Sequence, residues 1–291
     1  MLKKYLCLAL AVLVVSLLSL STTYAASSVD YSSDISSDQQ LNSLSDDRQL
    51  IFISEENSEY VPFDDIRISI PIPASEPTTI VPQASYDAEV FVLSGGLKKT
   101  KNGVFTWEYD LDCVTSLIFK PVIALTVSLE ASFTTENGSY STHYTDETQN
   151  YNLPTDYAVS HSFTTAARTG YYRYRYRIDT NGDLNFMYRV TNINLFNRTG
   201  HVWTASYSCV GKTLPKPRAD YVKGQLYPRP SNLANDYYEW YYLRTGLRCD
   251  TSLYEVHHIQ PLSYGGNNSY ANLIHLPKEI HRVVTGWFSG Y

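Results

Sequence analysis

The sequence predicts a multi-part fold: a central all-β, antiparallel, sandwich-like domain at residues 86–210, followed by a small α+β unit at residues 211–291. Three observations predict it. Between about residues 90 and 210 the chain runs in short alternating segments dense in Tyr, Thr, Val and Ile. Asn-Gly pairs at Asn102, Asn137 and Asn181 punctuate them, the strongest short-range signal of a hairpin. A basic, proline-rich stretch, "GKTLPKPRADYVKGQLYPRPSN" (Gly211 to Asn232), then interrupts the pattern, and beyond it the period turns helical before two short apolar runs around a Gly-Gly turn.

Residues 1–25 read as an export signal. Lys3 and Lys4 supply the positive start, Leu6 to Leu20 an apolar core, and Thr23-Tyr24-Ala25 a small-residue cleavage site. That run is short for a membrane span, and the mature chain has no other candidate, so the expectation is a secreted, extracellular protein with a bacterial export signal. Residues 26–85 are expected to form a disordered acidic segment containing prolines. Residues 27 to 60 hold eight acids against one base, and "PIPASEPTTIVP" (Pro71 to Pro82) follows. Such a composition buries too little apolar surface to offset the entropy of ordering. From residue 211 onward the balance reverses to nine bases against six acids, so only this last segment would not repel a polyanion.

Three cysteines follow the export signal: Cys113, Cys209 and Cys249. An odd count leaves one unpaired, with a Cys113–Cys209 bridge as the pairing considered. The absence of any C-x-x-C removes zinc ribbons and thioredoxin-like redox sites.

In the β-rich region, "GVFTWEYDL", "VIALTVSLEASFTT", "YYRYRYRI", "LNFMYRVTNINLF" and "HVWTASYSCV" read as strands. Alternation within "TGYYRYRYRID" would set Arg173, Arg175 and Arg177 on one face and Tyr172, Tyr174 and Tyr176 on the other. The expectation is a half-buried strand with a solvated face, in preference to a cationic stripe for glycans or nucleic acid. "DTNGD" (Asp179 to Asp183) is a turn; its glycine falls too early for a calcium loop, and Val190 stands where a glutamate is needed.

After the boundary, "SNLANDYYEWYYLRTG" predicts a helix capped by Ser231 or Asn232 and stopped at Gly246, with Leu233, Tyr237, Trp240 and Tyr241 sharing a face. "SLYEVHHI" is a strand broken by Pro261, "PLSYGGNNSYAN" a loop, and "LIHL" a second strand. Pro277 suits a helix start, and Ile280, Val283, Val284 and Trp287 form that helix's apolar stripe. Four of the seven histidines (His257, His258, His275 and His281) fall within this strand, loop, strand, helix unit. So small a unit has little core of its own and would profit from a metal clip.

"YEVHH" (Tyr254 to His258), Pro261, "GG" (Gly265-Gly266), "NL" (Asn272-Leu273) and His281, nine residues after the asparagine, match a known pattern in order and spacing. The stretch resembles the ββα-metal motif of HNH (His-Me finger) endonucleases, closest to colicin-type DNases and bacterial polymorphic-toxin nucleases. The likeness covers residues 252–291 and says nothing of residues 27–210. It implies an HNH-like nuclease domain at 211–291, with catalytic residues His258 as general base, Asn272 as the brace of its loop and Glu255 as an acid behind the metal. His257 and His281 are implied as metal ligands. The colicin-type sequences carry a further histidine where this chain has Thr285.

The chemistry agrees with those roles. Phosphodiester hydrolysis needs an activated water and positive charge beside the phosphate. Imidazole titrates near neutral pH, and two neutral imidazoles leave most of a cation's coordination sphere open. The expected cofactor is a divalent metal ion, Zn, Ni or Mg. Arg282, Arg229 and Lys216 are candidates for gripping nucleic acid, while His275 is expected to face solvent or to pair with a backbone carbonyl.

The expected function is a metal-dependent endonuclease acting on DNA or RNA, as a toxin or an extracellular nuclease. An immunity protein and a cell-surface receptor or polymer, bound through the β-rich domain, are the other expected partners. The alternative is a non-enzymatic secreted surface- or glycan-binding β-sandwich protein with a degenerate HNH unit.

Overall fold

The computed structural model describes residues 60–71, 87–113, 122–146, 149–152, 158–180 and 187–291. The expected export signal, residues 26–59 and 72–85 of the acidic segment and the Asn181 turn lie outside the described residues. Asn102 (φ 53°) and Gly103 (φ 74°) both take the left-handed conformation that a two-residue hairpin requires. They turn β3 (Asp87–Lys101) back onto β4 (Val104–Cys113), with Lys101 paired to Val104. Asn137 and Gly138 lie in the link between β5 (Val122–Ser132) and β6 (Ser141–Thr145), where the Gly138 amide donates to the Thr135 carbonyl at 3.0 Å.

Two antiparallel sheets result. In the first, β1 (Val61–Pro62), β3, β4 and β8 (Ala158–Ala166) lie in that order, and β2 (Ile66–Pro71) also pairs with β3. In the second the order is β10 (Met187–Val190), β9 (Gly170–Thr180), β5, β6; β11 (Asn194–Phe196) joins β9 and β7 (Gln149–Asn152) joins β5. Alternation along each strand sends Phe105, Trp107, Tyr109 and Leu111 from one sheet and Tyr172, Tyr174, Tyr176 and Ile178 from the other into a single buried core. On the opposite face of β9, Arg173 and Arg175 both pair with Glu130, which is only 5% exposed. A buried carboxylate thus engages two of the three arginines, and the half-buried reading of this strand holds.

Three expectations differ from what is seen. Strands β1 and β2 fall inside the stretch expected to be disordered, because Phe63 and Ile68 are buried in the core beside β3 and outweigh the polar neighbours. "HVWTASYSCV" is mostly irregular; Val202 makes one bridge to Phe196, and only Ser208–Cys209 forms a short strand, β12, against β13 (Lys212–Thr213). Its Trp203 packs edge-on against Trp287, ring centroids 5.1 Å apart, at the C-terminal end of the chain. Cys113, Cys209 and Cys249 are all thiols, so the Cys113–Cys209 bridge does not form. Cys113 ends β4 in the first sheet, whereas the Cys209 thiol meets the Tyr241 hydroxyl in the C-terminal region.

That region comprises α1 (Leu233–Thr245), β14 (Tyr254–His258), β15 (Leu273–Pro277) and α2 (Lys278–Ser289). Gly246 (φ 74°) ends α1 as the sequence predicts, but neither Ser231 nor Asn232 caps its start through a side-chain bond. The Asn232 side-chain amide donates instead to the Asp236 carboxylate at 2.7 Å, and Pro277 stands just before the first residue of α2. Of the predicted stripe of α2, Val284 and Trp287 are buried, Ile280 and Val283 are half-buried against the same cluster, and Phe288 joins the buried side. Its core is not private. Tyr171, Leu195, Trp203 and Ala205 from the β-rich part share one cluster with Ile274, Leu276, Val284 and Trp287. Hydrogen bonds reinforce the seam: Asn197 donates to the Trp287 carbonyl (2.8 Å), the Trp287 indole to the His201 carbonyl (2.9 Å), and the Tyr171 hydroxyl to the Pro217 carbonyl (2.7 Å). All described residues belong to one compact unit, and packing is continuous across residue 210. Among the described residues no helix is long and apolar enough to cross a membrane.

Candidate active site

Antiparallel pairing of β14 with β15 sets His257 opposite Ile274 and His258 opposite Leu273. Directly paired residues share a face, so Glu255 and His257 lie with Leu276 and Ile274, toward the cluster that contains α2. Val256 packs on the other face, with Leu273 and the Tyr237 of α1. Alternation should separate His257 from His258, yet both line one pocket of about 270 Å³, together with His281, Arg229 and Leu226. The reconciling feature is position: His258 is the last residue of β14, where the chain leaves the ladder and turns across the end of the hairpin.

Asn272 holds that turn. Its side-chain oxygen accepts from the Gln260 amide at 2.9 Å, while its Nδ2 donates to the carbonyls of Gln260 and Asn267, both at 2.9 Å. Its own carbonyl accepts from the Ile259 amide at 2.8 Å. At Gly266 a Cβ would stand 1.9 Å from the Gln260 carbonyl oxygen, so no larger residue fits there. The residues after His258 are thereby clamped from within.

His281 lies in the first turn of α2, its ring centroid 5.0 Å from that of His257. Its Nδ1 is 2.9 Å from a Glu255 carboxylate oxygen. A carboxylate only accepts, so Nδ1 carries the hydrogen and Nε2 keeps a lone pair. The His257 Nε2 is buried without a hydrogen-bond partner among the described residues.

Electrostatics keep all three rings neutral. Burial pushes the His257 pKa down to about 3, with His281, His258 and Arg229 adding to the effect. Burial also lowers His258, opposed by its bond to Asn268, and lowers His281, opposed by Glu255; Arg229 depresses both. Neutral imidazoles are what a divalent cation requires.

A two-imidazole cation site fits these residues. The orphaned His257 nitrogen and the lone pair left on His281 belong to rings in contact, and Glu255 backs the second ring. Among the described residues, no set of three or more His, Cys, Asp or Glu converges as a ready-made cation cage. Two protein ligands would leave most of a cation's coordination positions open.

The other predicted residues are distributed as follows. Arg229 is at the pocket, where its charge bears on all three histidines. Arg282 is exposed on α2 and is not part of the pocket lining. Lys216 is ion-paired to Glu136 of the β-rich part at 2.6 Å, away from the histidines, because Pro217 and Arg218 beside it are tied to Tyr171 and Tyr291. Thr285 is exposed on α2. His275 does not face solvent: it is 4% exposed, on the opposite side of the hairpin, ringed by Tyr207, Tyr237, Tyr241 and Tyr254.

Two residues at the site escape sequence reasoning. Asn268 bonds His258 directly (3.0 Å). Lys212 on β13 donates to the carbonyls of Tyr270 and Leu273, on either side of Asn272, beneath the rings of Tyr237 and Trp240. The only signal for Asn268 was a second asparagine in a Gly-Gly-Asn-Asn turn, and for Lys212 there was none. No protein-family model matches the chain, and no curated protein matches it either.

Proposed function

We propose that the C-terminal region is a metal-dependent endonuclease of the HNH type, a ββα-metal unit that hydrolyses phosphodiester bonds in DNA or RNA, carried by a sandwich-like β domain. One observation carries the reading. His257, His258, His281 and Arg229 share a single pocket, with His281 oriented by Glu255 and the turn after His258 braced by Asn272.

The residues divide the chemistry between them. His258, neutral at pH 7, takes a proton from the attacking water, a step typically worth ~10²–10⁴-fold. His257 and His281 would hold a divalent cation, Zn, Ni or Mg. When bound, that ion supplies positive charge beside the scissile phosphate. Arg229 grips a phosphate oxygen with its guanidinium fork. Asn272 holds the turn rigid so that His258 keeps its aim. The surrounding region carries an excess of basic over acidic residues, which favours a polyanion.

The direct test incubates the full chain with supercoiled plasmid and Ni, Zn or Mg, beside His258→Ala. Nicking by the parent and its loss in the variant support the reading; equal nicking by both removes His258 from its role. The biological use we propose is attack on competing bacteria or scavenging of extracellular nucleic acid. The β-rich part would attach to a receptor or surface polymer, and an immunity protein would protect the producer of a toxin.

Thr285, where a further ligand stands in the colicin-type pattern, favours a second reading: a secreted surface- or glycan-binding protein whose HNH unit has lost catalysis. Retention on cell walls with no nicking under any of the three metals would select it.

A further inference from the structure

The bond between Asn268 and His258 has a consequence for which ring nitrogen does the work. Asn268 bridges two partners. Its Nδ2 donates to the Pro228 carbonyl at 2.9 Å, and its Oδ1 lies 3.0 Å from the His258 Nε2. The amide cannot be turned over, because a backbone carbonyl offers no hydrogen and must face the NH2 end. The oxygen end therefore faces His258, and the only bonding arrangement open to Nε2 is to carry the hydrogen and donate it. Neutral His258 then has its lone pair on Nδ1.

We infer that Asn268 is a positioning residue that locks His258 in the Nε2–H tautomer, reserving Nδ1 as the proton acceptor, and that it anchors the Arg229 segment to the same loop. The consequence for catalysis rests on the nuclease reading; the tautomer does not. The second half follows from sequence order. Pro228 directly precedes Arg229, so the bond that fixes the amide also pins the backbone beside the guanidinium. A second tie between this segment and the loop is the Gly224 amide donating to the Ser263 carbonyl at 3.0 Å. Asn268 is itself set by the clamp at Asn272, whose Nδ2 holds the carbonyl of the preceding Asn267. One amide thus relates the base to the phosphate grip through a rigid turn.

The test uses the full chain: metal-free and with ¹⁵N-labelled histidine, long-range ¹H–¹⁵N correlation reads the His258 tautomer, and steady-state nicking kinetics are run separately with the divalent metal added. The parent should show His258 as Nε2–H. In Asn268→Ala the ring should redistribute toward Nδ1–H, and kcat should fall about tenfold to hundredfold, as when an orienting partner is lost. Asn268→Asp separates the halves: its carboxylate still accepts from Nε2–H but cannot donate to Pro228, so the tautomer should persist while KM for plasmid rises. An Nδ1–H ring in the parent overturns the inference, and so does an Asn268→Ala chain with unchanged tautomer and kcat. If the parent cuts no plasmid, the nuclease reading falls, while the resonance measurement still decides the tautomer. If Asn268→Ala fails to fold, Asn268→Asp and the parent spectrum still decide it.

Discussion

The His281 imidazole points its Nδ1 at the Glu255 carboxylate, 2.9 Å away, across the gap between α2 and β14. This contact engages Nδ1 and leaves the His281 Nε2 with the lone pair. Glu255→Gln keeps the shape but removes the charge and allows the amide to face His281 with either end. Because the Glu255 side chain is 47% exposed, the metal-free protein should melt within about 1 kcal/mol of the parent. Affinity for Zn or Ni should nonetheless fall ~10–100-fold by titration calorimetry. Unchanged affinity would show that the pair is only a surface ion pair.

Metal and stability are linked through the same rings. A cation held by the folded state alone at a hundred times its Kd adds about 2.7 kcal/mol, visible as a raised melting temperature. His257→Ala and His281→Ala should each abolish that gain. His258→Ala should keep it while losing nicking. A variant of His257 that retains the full metal-dependent shift would remove it from the ligand set.

Acid should destabilise the metal-free protein by a predictable route. His257 is held near 3 in the fold against an ordinary 6.5, so between those values the unfolded chain binds a proton that the folded chain refuses. Stability is therefore full above about pH 6.5 and falls as pH drops toward 3. The groups facing the ring are His258, His281 and Arg229, which all disfavour its protonation, with Glu255 behind His281. Unfolding free energies from urea titrations at pH 7 and pH 4.5 should differ by on the order of 2 kcal/mol from this ring, and His257→Gln should flatten the slope. An equally steep slope in that variant would assign the acid sensitivity elsewhere.

Lys212 should matter more than a surface lysine. Its ammonium bonds the Tyr270 and Leu273 carbonyls, close to Asn272, and burial lowers its pKa. Lys212→Met preserves the stem but leaves both carbonyls without that donor, at a cost of about 1–3 kcal/mol. Hydrogen exchange at the Ile259 amide, which is bonded to Asn272, should speed up with it. Unaltered exchange there would mean that the clamp does not depend on Lys212.

A fragment of residues 211–291 should fail to fold alone, because Tyr171, Leu195 and Trp203 complete its core. Trp287→Ala in the full chain should cost about 3–5 kcal/mol for the same reason. A cooperative melt from the isolated fragment would contradict the shared core. Cytoplasmic toxicity assays are accordingly better run on residues 60–291.

Local signals in the sequence carry much of this protein. The turn at Asn102-Gly103, the inward tyrosines of β9 and the end of α1 at Gly246 each follow from features a few residues long, and the grouping of His257, His258 and His281 follows from an ordered motif within one short unit. Hairpin chemistry, two-residue alternation and helix punctuation act through the backbone over a few residues, so they are legible wherever no distant partner competes for the same side chains. The residues the sequence misassigned or left unmarked depend on partners far along the chain. His275 is enclosed by tyrosines from the end of the β-rich region, from α1 and from β14. Lys216 is diverted to Glu136, Trp203 leaves a strand pattern to meet Trp287, and Asn268 reaches back forty residues to Pro228. Burial, ion pairing and proton placement depend on what surrounds a group in space. Short-range pattern thus names the imidazoles that can meet, whereas the nitrogen each ring engages follows from neighbours that come together only when the chain is folded.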